Sequence, residues 1–447
     1  MSRLTALLGE TITVSILLLS PASTLYAFSN SSHGDSTTTY VLNRVFVQGN
    51  TATKSFIILR ELPFRAGDTV TAGEIQYGRE RIYSTGLFTD VITQIEPLKG
   101  GRVDLLILVE ERWYIWPYPV VGFRDDDLKR IYVGAGLADL NFSGSDDRLE
   151  GMFALGYDPF GTIDYSDPAV GVNKRYVVSL GASYAHGRSL GQQSGNASGQ
   201  FDDAFADMYV EGGRRFGIYS LLSLKATYNY VKRNEDAAGL VLSPTGEDIF
   251  GSLKVDYTYD SRNLKTYATQ GGYLDLAVGK YGLGESNVDF GRLSFDARGY
   301  LPIEKYLTFA LRLHGNLAEG PQIPPYDHVF LGYYERIRGM FYTTSEGESL
   351  LGANAELRIP IIKKMTFDLP DFPMRKYISN SFGIYWSFFF DAGETSGKQL
   401  DMHLNRALYG YGGGLVFLLP YDFVVQVDFA RGGDKRSEFI LEFGEAI

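Results

Sequence analysis

The chain has 447 residues, of which 42 are basic and 53 acidic, and its formal net charge at pH 7 is -11. This balance argues against a nucleic-acid-binding protein, which would carry a basic excess. The chain has no cysteine, which excludes disulfides and thiolate chemistry, and its five histidines are too widely spaced to suggest a metal site. Abundant Tyr, Phe and Gly are typical of exposed sheet with aromatic belts rather than of a soluble enzyme.

Residues 1–27 are predicted to be an export signal. Arg3 supplies a positive charge, residues 12–19 form an apolar core, and Ala27 offers a small residue for cleavage. A short membrane anchor is the alternative, but the apolar run falls short of the roughly 20 residues that a spanning helix needs. No later run reaches that length, so a membrane form of this chain would cross as strands.

A compact mixed unit is predicted for residues 40–112, after a polar linker over residues 28–39. Alternating valines from Val41 to Val47 predict a strand. Thr53 is expected to cap the helix that follows. The later elements are a second helix and a strand hairpin, over residues 72–84, 91–96 and 103–109.

Five short stretches of this unit resemble a known domain family. They cover residues 45–53, 60–62, 65–68, 81–88 and 109–112. With these stretches the unit resembles a POTRA domain, a periplasmic polypeptide-binding module. The resemblance implies that it binds partners by strand addition at an exposed sheet edge. A generic α+β domain is the alternative.

From Trp113 onward, apolar and polar residues alternate, as in residues 222–230 and 249–259. In a soluble sandwich the apolar face would pack on a second sheet. In a membrane barrel it would face lipid, while the charged face would line a wet lumen. Segment lengths of about 10 to 13 residues, with short turns alternating with long loops, favour the barrel. The predicted fold class is therefore an all-β transmembrane barrel of sixteen antiparallel strands over residues 113–447, preceded by one POTRA domain.

The sixteen strands are predicted at residues 115–123, 130–139, 147–157, 160–167, 175–186, 204–216, 220–232, 249–260, 272–281, 288–301, 306–317, 350–360, 380–392, 407–419, 422–431 and 437–446. An even number places both barrel ends, and the domain before them, on the short-turn side, which is periplasmic. The long polar interval 318–349 then becomes the sixth outer loop.

A POTRA domain followed by such a barrel resembles the architecture of the BamA, TamA, Sam and Toc superfamily. The motifs that carry this resemblance lie at residues 139–144, 260–263, 269–272, 338–340, 355–360 and 389–393. It implies an outer-membrane protein with its POTRA domain in the periplasm. It also implies a protein without cofactor, metal or catalytic residue.

The sixth loop contains an Arg-x-Arg-Gly turn formed by Arg336, Arg338 and Gly339. Loops of this length are usually functional or disordered, and the turn alone could be a solvated surface feature. The superfamily resemblance implies that the loop folds back into the lumen, where Arg338 pairs with Asp391 and has Glu356 nearby. An arginine in a partly desolvated lumen needs such a partner. The alternative is that the two acidic residues only line a polar pore.

The predicted closing seam lies between strands 1 and 16. Pro117 and Pro119 in strand 1 each remove a hydrogen-bond donor, which favours an edge or a weak seam. Strand 16 is short and carries Phe439, Leu441 and Phe443 between acidic residues. The resemblance implies a lateral gate at this seam. An ordinary barrel with prolines near its rim is the alternative.

The predicted function is that of an outer-membrane protein insertase or translocase, which templates client strands at this gate. Expected partners are unfolded outer-membrane or secreted polypeptides, outer-membrane lipid and periplasmic accessory proteins, but not nucleic acid. One alternative is a secretion channel for a dedicated partner protein. A second is an anchor for an enzyme, although the chain itself has no Gly-x-Ser-x-Gly elbow with triad partners and is not expected to be an enzyme.

Overall fold

The computed structural model describes residues 38–124, 127–187, 203–233, 241–284, 287–304, 306–333, 335–366, 381–397, 406–420 and 423–444. The predicted export signal, most of the predicted linker and the last residues of predicted strand 16 lie outside this described part. Within it, no helix is long and apolar enough to cross a membrane.

A small α+β domain begins the described chain. Its elements are β1 (Thr39–Gln48), α1 (Ser55–Leu59), β2 (Thr69–Thr71), α2 (Ala72–Tyr83), β3 (Phe88–Pro97) and β4 (Arg102–Glu111). The sheet order is β2-β1-β4-β3, with β1 and β4 parallel. Apolar side chains from both helices and the sheet form one buried core, which includes Leu42, Ile57, Ile82, Leu87 and Leu105.

The start of α1 differs from the prediction. The residue before the helix is Lys54, whose side chain makes no capping hydrogen bond, so the prediction that Thr53 caps this helix is wrong. The Thr53 hydroxyl is instead 2.8 Å from the Tyr114 hydroxyl and accepts a 2.9 Å hydrogen bond from Asn141. The Thr53 hydroxyl therefore makes tertiary hydrogen bonds, whereas the local sequence pattern predicted that it would cap the helix.

Helix α2 begins where its sequence indicates. The Thr71 hydroxyl accepts from the Glu74 backbone N–H at 3.1 Å, and the Glu74 carboxylate accepts from the Thr71 N–H at 2.7 Å. This reciprocal pair is a capping box, which satisfies two N–H groups that the helix start leaves without partners. Residues Thr69–Thr71 also form the short strand β2, which the alternation did not predict.

In the rest of the described chain, sixteen strands form one antiparallel sheet. Its strands are β5 (Ile115–Arg124), β6 (Asp127–Asp139), β7 (Arg148–Gly156), β8 (Phe160–Val170), β9 (Tyr176–Gly187), β10 (Asp203–Phe216), β11 (Ser220–Lys232), β12 (Glu247–Asp260), β13 (Gly271–Leu283), β14 (Asp289–Glu304), β15 (Leu307–Gln322), β18 (Ser349–Thr366), β19 (Ser381–Ser396), β20 (Leu408–Leu419), β21 (Phe423–Gly432) and β22 (Ser437–Gly444). Two further short strands, β16 (Val329–Leu331) and β17 (Ser345–Gly347), lie in the loop between β15 and β18. Neighbours in the sheet follow chain order, and β15 pairs with β18. The predicted fold class is confirmed.

The two faces of this sheet have opposite chemistry. Leu224 and Val255 on the apolar face are 50% and 48% exposed, so no second sheet covers them. On the other face the Lys254 ammonium lies 2.6 Å from the Asp256 carboxylate. The apolar face is therefore the outer, lipid-facing surface, and the charged face lines the lumen. The alternative of a soluble sandwich is wrong.

Several strands run further than predicted. The fourth barrel strand, β8, continues through Pro168 to Val170, and the twelfth, β18, continues through Pro360 to Thr366. Each proline lies at or next to a shift in the pairing register. A proline is tolerated at such an irregularity because no ladder hydrogen bond is required of it there.

The small domain is docked onto the turns at one end of the barrel. At the β6–β7 turn (residues 140–147), the Lys54 backbone N–H donates to the Gly144 carbonyl at 2.9 Å. In the same turn, Asp146 accepts from the Arg60 guanidinium at 2.7 Å. The contact therefore includes backbone and charged side chains on both partners.

Glu111, at the end of β4, holds the loop that makes this contact. Its carboxylate accepts backbone hydrogen bonds from Thr51 at 3.0 Å, Ala52 at 3.0 Å and Thr53 at 2.6 Å. Burial alone would raise the pKa of Glu111, but these hydrogen bonds to the ionised form outweigh it and lower the pKa.

Because the pKa of Glu111 is lower in the folded state than in the unfolded chain, its carboxylate stabilises the fold above the unfolded pKa, and this contribution disappears as pH falls through the folded pKa. We expect Glu111→Gln to cost about 1 kcal/mol at pH 7, discounted for partial exposure, and progressively less below about pH 4. Thermal unfolding followed by tryptophan fluorescence between pH 3 and 7 measures this. The exposed Glu96→Gln is the matched control, and an equal loss at every pH would contradict the assignment.

Candidate functional site

The long loop between β15 and β18, here called the inner loop (residues 323–348), folds into the barrel. Its short strands β16 and β17 pair and bring the two limbs together. Leu331 and Ile337 of the loop pack against Leu350 in a buried cluster. At the tip, Arg338 is only 5% exposed. The tip is therefore removed from solvent, and its charge needs a partner.

The partner of Arg338 is Asp391 on β19. The Arg338 Nε and Nη2 donate to the two Asp391 carboxylate oxygens at 2.7 and 2.9 Å, and the Arg338 backbone N–H donates to Oδ2 at 3.2 Å. Asn354 on β18 donates to the same carboxylate at 3.1 Å. This two-point geometry is the strongest form of arginine–carboxylate contact and also fixes orientation.

Two further carboxylates and an aromatic ring surround the same guanidinium. Its Nη1 lies 3.3 Å from Glu356 Oε2 and 3.6 Å from Asp428 Oδ2, and its central carbon lies 3.6 Å from the centre of the Phe389 ring. Burial alone would lower the pKa of Arg338, but the carboxylates, led by Asp391, raise it. Arg338 therefore keeps its charge inside the lumen.

Gly339 follows Arg338 in a left-handed conformation, with φ of +95°. A Cβ atom at this position would lie 2.7 Å from the backbone carbonyl carbon of Arg431. Glycine is required here for both its backbone conformation and its lack of a side chain. The Arg-x-Arg-Gly turn thus lets the loop backbone lie directly against β21.

The first arginine of the turn lies elsewhere. The Arg336 Nε donates to the Tyr333 carbonyl at 2.6 Å, and its guanidinium lies over the Phe341 ring at 4.2 Å. Both contacts are with residues of the inner loop, whereas the contacts of Arg338 are with the lumenal carboxylates that were predicted to belong to the same latch as Arg336. The two contacts connect residues on both sides of the Arg-x-Arg-Gly turn.

Glu335 is a second anchor of the loop, which sequence reasoning missed. Its carboxylate oxygens each accept from the Arg312 guanidinium of β15 at 2.9 Å. Burial opposes ionisation of Glu335, but the charge of Arg312 outweighs it and holds the pKa of Glu335 below its ordinary value. Its position immediately before the Arg-x-Arg-Gly turn was the available signal.

The inner loop also contacts the last strand of the sheet. The Phe341 backbone N–H donates to the Glu438 carboxylate of β22 at 2.9 Å. The Phe341 ring packs with Phe389 and with the inward-facing Ile440 of β22. The loop therefore holds one of the two terminal strands from inside.

The two terminal strands of the sheet are β5 and β22. Within the described residues, no pairing register joins them. The ladder between β5 and β6 runs without a shift from Ile115 to Phe123, through Pro117 and Pro119. Prolines in an otherwise regular ladder are typical of an edge strand, whose other side has no partner.

On β22, the three predicted seam residues point away from the lumen. Phe439, Leu441 and Phe443 are 69%, 52% and 55% exposed. They extend the lipid-facing surface up to the unpaired edge. Among the described residues, no group of three or more His, Asp or Glu side chains is arranged to hold a metal ion.

Comparison with known families agrees with this geometry. The model of the Omp85 superfamily domain matches residues 141–447, and the POTRA model, described as a surface antigen variable number repeat, matches residues 40–112. The chain belongs to the Omp85 superfamily. The barrel therefore lies in the outer membrane, and its POTRA domain lies in the periplasm.

Two curated relatives of this superfamily member carry the name outer membrane protein assembly factor BamA. The one from Nitratidesulfovibrio vulgaris is 25% identical over an alignment of 319 residues, and the match covers 67% of this chain and 37% of that protein. The one from Neorickettsia risticii is 23% identical over an alignment of 440 residues, and the match covers 90% of this chain and 54% of that protein. The chain thus spans about half or less of the length of these relatives.

Solved structures show the same fold. BamA from Haemophilus ducreyi lacking POTRA domains 1–3 matches with a TM-score of 0.54 and 15% identity, over 90% of this chain and 84% of that one. CdiB from Escherichia coli matches with a TM-score of 0.51 and 11% identity, over 99% and 94% of the two chains. At these identities the likeness concerns the fold alone.

We predict that Arg338→Ala loosens the Omp85 barrel. The change leaves Asp391, Glu356 and Asp428 buried without their cation, and breaking one partner of a buried pair costs about 3–5 kcal/mol. Heat-modifiable mobility on gels measures the temperature at which the barrel unfolds, and we expect it to fall. Arg436→Ala, at a side chain 85% exposed, is the matched control. Unchanged mobility of Arg338→Ala relative to this control would contradict the prediction.

Proposed function

We propose that this chain inserts proteins into the outer membrane by pairing client strands with the edges of β5 and β22. The observation that carries the proposal is the sheet's open order, in which β5 and β22 are end strands without a register between them in the described part. The names of the BamA relatives support assembly as the activity.

An unpaired strand edge offers a row of backbone donors and acceptors to another chain. Most barrels abolish such edges by closing. Here Pro117 and Pro119 fit the edge of β5, and the described part of β22 spans eight residues. A client hairpin that pairs with either edge satisfies its backbone groups while it enters the hydrocarbon, where unsatisfied groups are costly.

The interior supports insertion at the seam more than passage through the lumen. The inner loop is fastened by Arg338 to Asp391 and by Glu335 to Arg312. A secretion channel for a partner protein would have to break both anchors to open the lumen, and a lateral gate would not. The proposed action requires no cofactor and no catalytic residue, since strand pairing and local membrane disturbance do the work.

The POTRA domain is proposed to receive unfolded outer-membrane polypeptides before they reach the seam. In the described part of the domain, the register between β2 and β1 covers Thr39, Tyr40 and Val41 of β1. Beyond this short pairing, Phe46 of β1 is 42% exposed. An extended polypeptide can add to such an edge through main-chain hydrogen bonds.

Crosslinking the seam tests the proposal. The chain has no cysteine, so a cysteine in β5 and one in β22 can be joined without background reaction. We expect a joined pair to abolish the folding of an unfolded barrel client into liposomes that contain the protein, and reductant to restore it. The client's resistance to protease measures its folding.

The matched control joins cysteines at Val210 and Ala226, which are register partners in the paired strands β10 and β11. This crosslink should leave client folding intact. Full activity with the β5–β22 pair joined would reject a lateral gate. Loss of activity with both pairs would show that the effect does not arise at the seam.

A further inference from the structure

The β12–β13 turn (residues 261–270) enters the barrel from the POTRA side. Its Tyr267 and Ala268 are buried, and the Tyr267 ring centre lies 4.8 Å from that of Tyr385 on β19. Tyr267 also belongs to a buried cluster with residues of β20 and β21. The turn therefore crosses the lumen to the strands that hold the inner loop.

Arg358 on β18 joins this turn to the inner loop. Its side chain is fully buried. Its Nη1 donates to the Ala268 carbonyl at 2.7 Å, and its guanidinium lies over the Tyr267 ring at 4.0 Å. Its Nε donates to Glu356 Oε1 at 2.8 Å. The other oxygen of Glu356 is the one that Arg338 contacts, so a single carboxylate bridges the two arginines.

The outer end of the same turn is bonded to POTRA helix α2 and the residue after it. The Tyr77 hydroxyl donates to the Ser261 carbonyl at 2.8 Å. The Ser84 hydroxyl donates to the Asn263 carbonyl at 3.2 Å and accepts from the Lys265 N–H at 3.1 Å. The position of the turn therefore depends on where the POTRA domain sits.

Asn263 makes the turn a single unit. Its side-chain oxygen accepts from the Thr269 and Gln270 N–H groups at 3.0 and 3.2 Å, which ties the two ends of the turn together. Its side-chain nitrogen donates to the Glu80 carboxylate of α2 at 2.8 Å. A displacement at the POTRA end is thus carried to Tyr267 and Ala268 rather than absorbed within the turn.

We propose that Arg358 is a positioning residue that couples docking of the POTRA domain to seating of the inner loop. The path runs from α2 through the β12–β13 turn to Arg358, then through Glu356 to Arg338, and every step is a contact given above. Coupling of this kind is reciprocal, so a polypeptide that draws the POTRA domain off the turn loosens the inner loop, and release of the loop weakens docking. The proposed coupling is the same whether the protein inserts its client polypeptides or secretes them.

Amide hydrogen exchange of residues 335–343, in the full chain in lipid nanodiscs, tests the coupling. The double variant Tyr77→Phe/Ser84→Ala removes side-chain contacts between α2 and the turn without touching the lumen. We expect it to speed exchange in the loop about fivefold, the lower end of common allosteric couplings. In an Arg358→Gln background, where exchange is already faster, the same double variant should add no further increase.

The matched control is Lys54→Ala/Arg60→Gln. It removes POTRA contacts with Ser145 and Asp146 in the β6–β7 turn instead of the contacts with the β12–β13 turn. We expect it to leave exchange in residues 335–343 unchanged. If it speeds exchange as much as the test variant does, undocking alone is responsible, and the path through Arg358 is refuted.

An unchanged loop in Tyr77→Phe/Ser84→Ala would also overturn the coupling. That comparison does not depend on Arg358→Gln, so it stands even if the buried substitution prevents folding. Because exchange is measured without a client, failure here is distinct from failure of the proposed insertion activity, which the seam crosslink addresses.

Discussion

Removing an arginine side chain from water is costly unless carboxylates replace the lost hydration, and this constraint governs the barrel interior. Arg338 meets it with Asp391, Glu356 and Asp428, which lie on three different strands. If the loop left the lumen, these buried carboxylates would lose the cation that they pair with. The same contact that solvates the arginine therefore fixes the inner loop against β18, β19 and β21.

The fixed loop explains why a sheet with two terminal edges can persist as a barrel. Phe341 contacts Glu438 and Ile440, so the loop supports β22 from within, where a neighbouring strand would otherwise do so. From the opposite end, the β12–β13 turn fills the lumen and meets the same charged cluster at Arg358. Interior contacts thus support this sheet in addition to the pairing between its strands.

Much of this fold follows from the sequence because strand alternation is a local property. Val255 and Asp256, neighbours on β12, fall on opposite faces by residue parity alone, so the barrel and its lumenal face are predictable. The approximate course of the inner loop follows from resemblance to a family. The ends of β8 and β18 were predicted too early, at residues 167 and 360, because a register shift depends on the neighbouring strand.

Contacts between residues far apart in the chain were harder to predict from the sequence. Thr53 was assigned to a helix cap, but Tyr114 and Asn141 engage its hydroxyl. Arg358 lies two residues after Glu356, so parity places it in the lumen. Its contact with Ala268, 90 residues earlier, depends on a turn that crosses the barrel. Periodicity carries no information about such a crossing.

The most direct test of the central interaction is a double-mutant cycle on Arg338→Ala and Asp391→Ala, with the free energy of unfolding measured in lipid vesicles. A buried pair in direct contact should give a double variant less destabilised than the sum of the two single variants by about 1–3 kcal/mol. Additivity within about 0.5 kcal/mol, the behaviour of independent sites, would contradict the account.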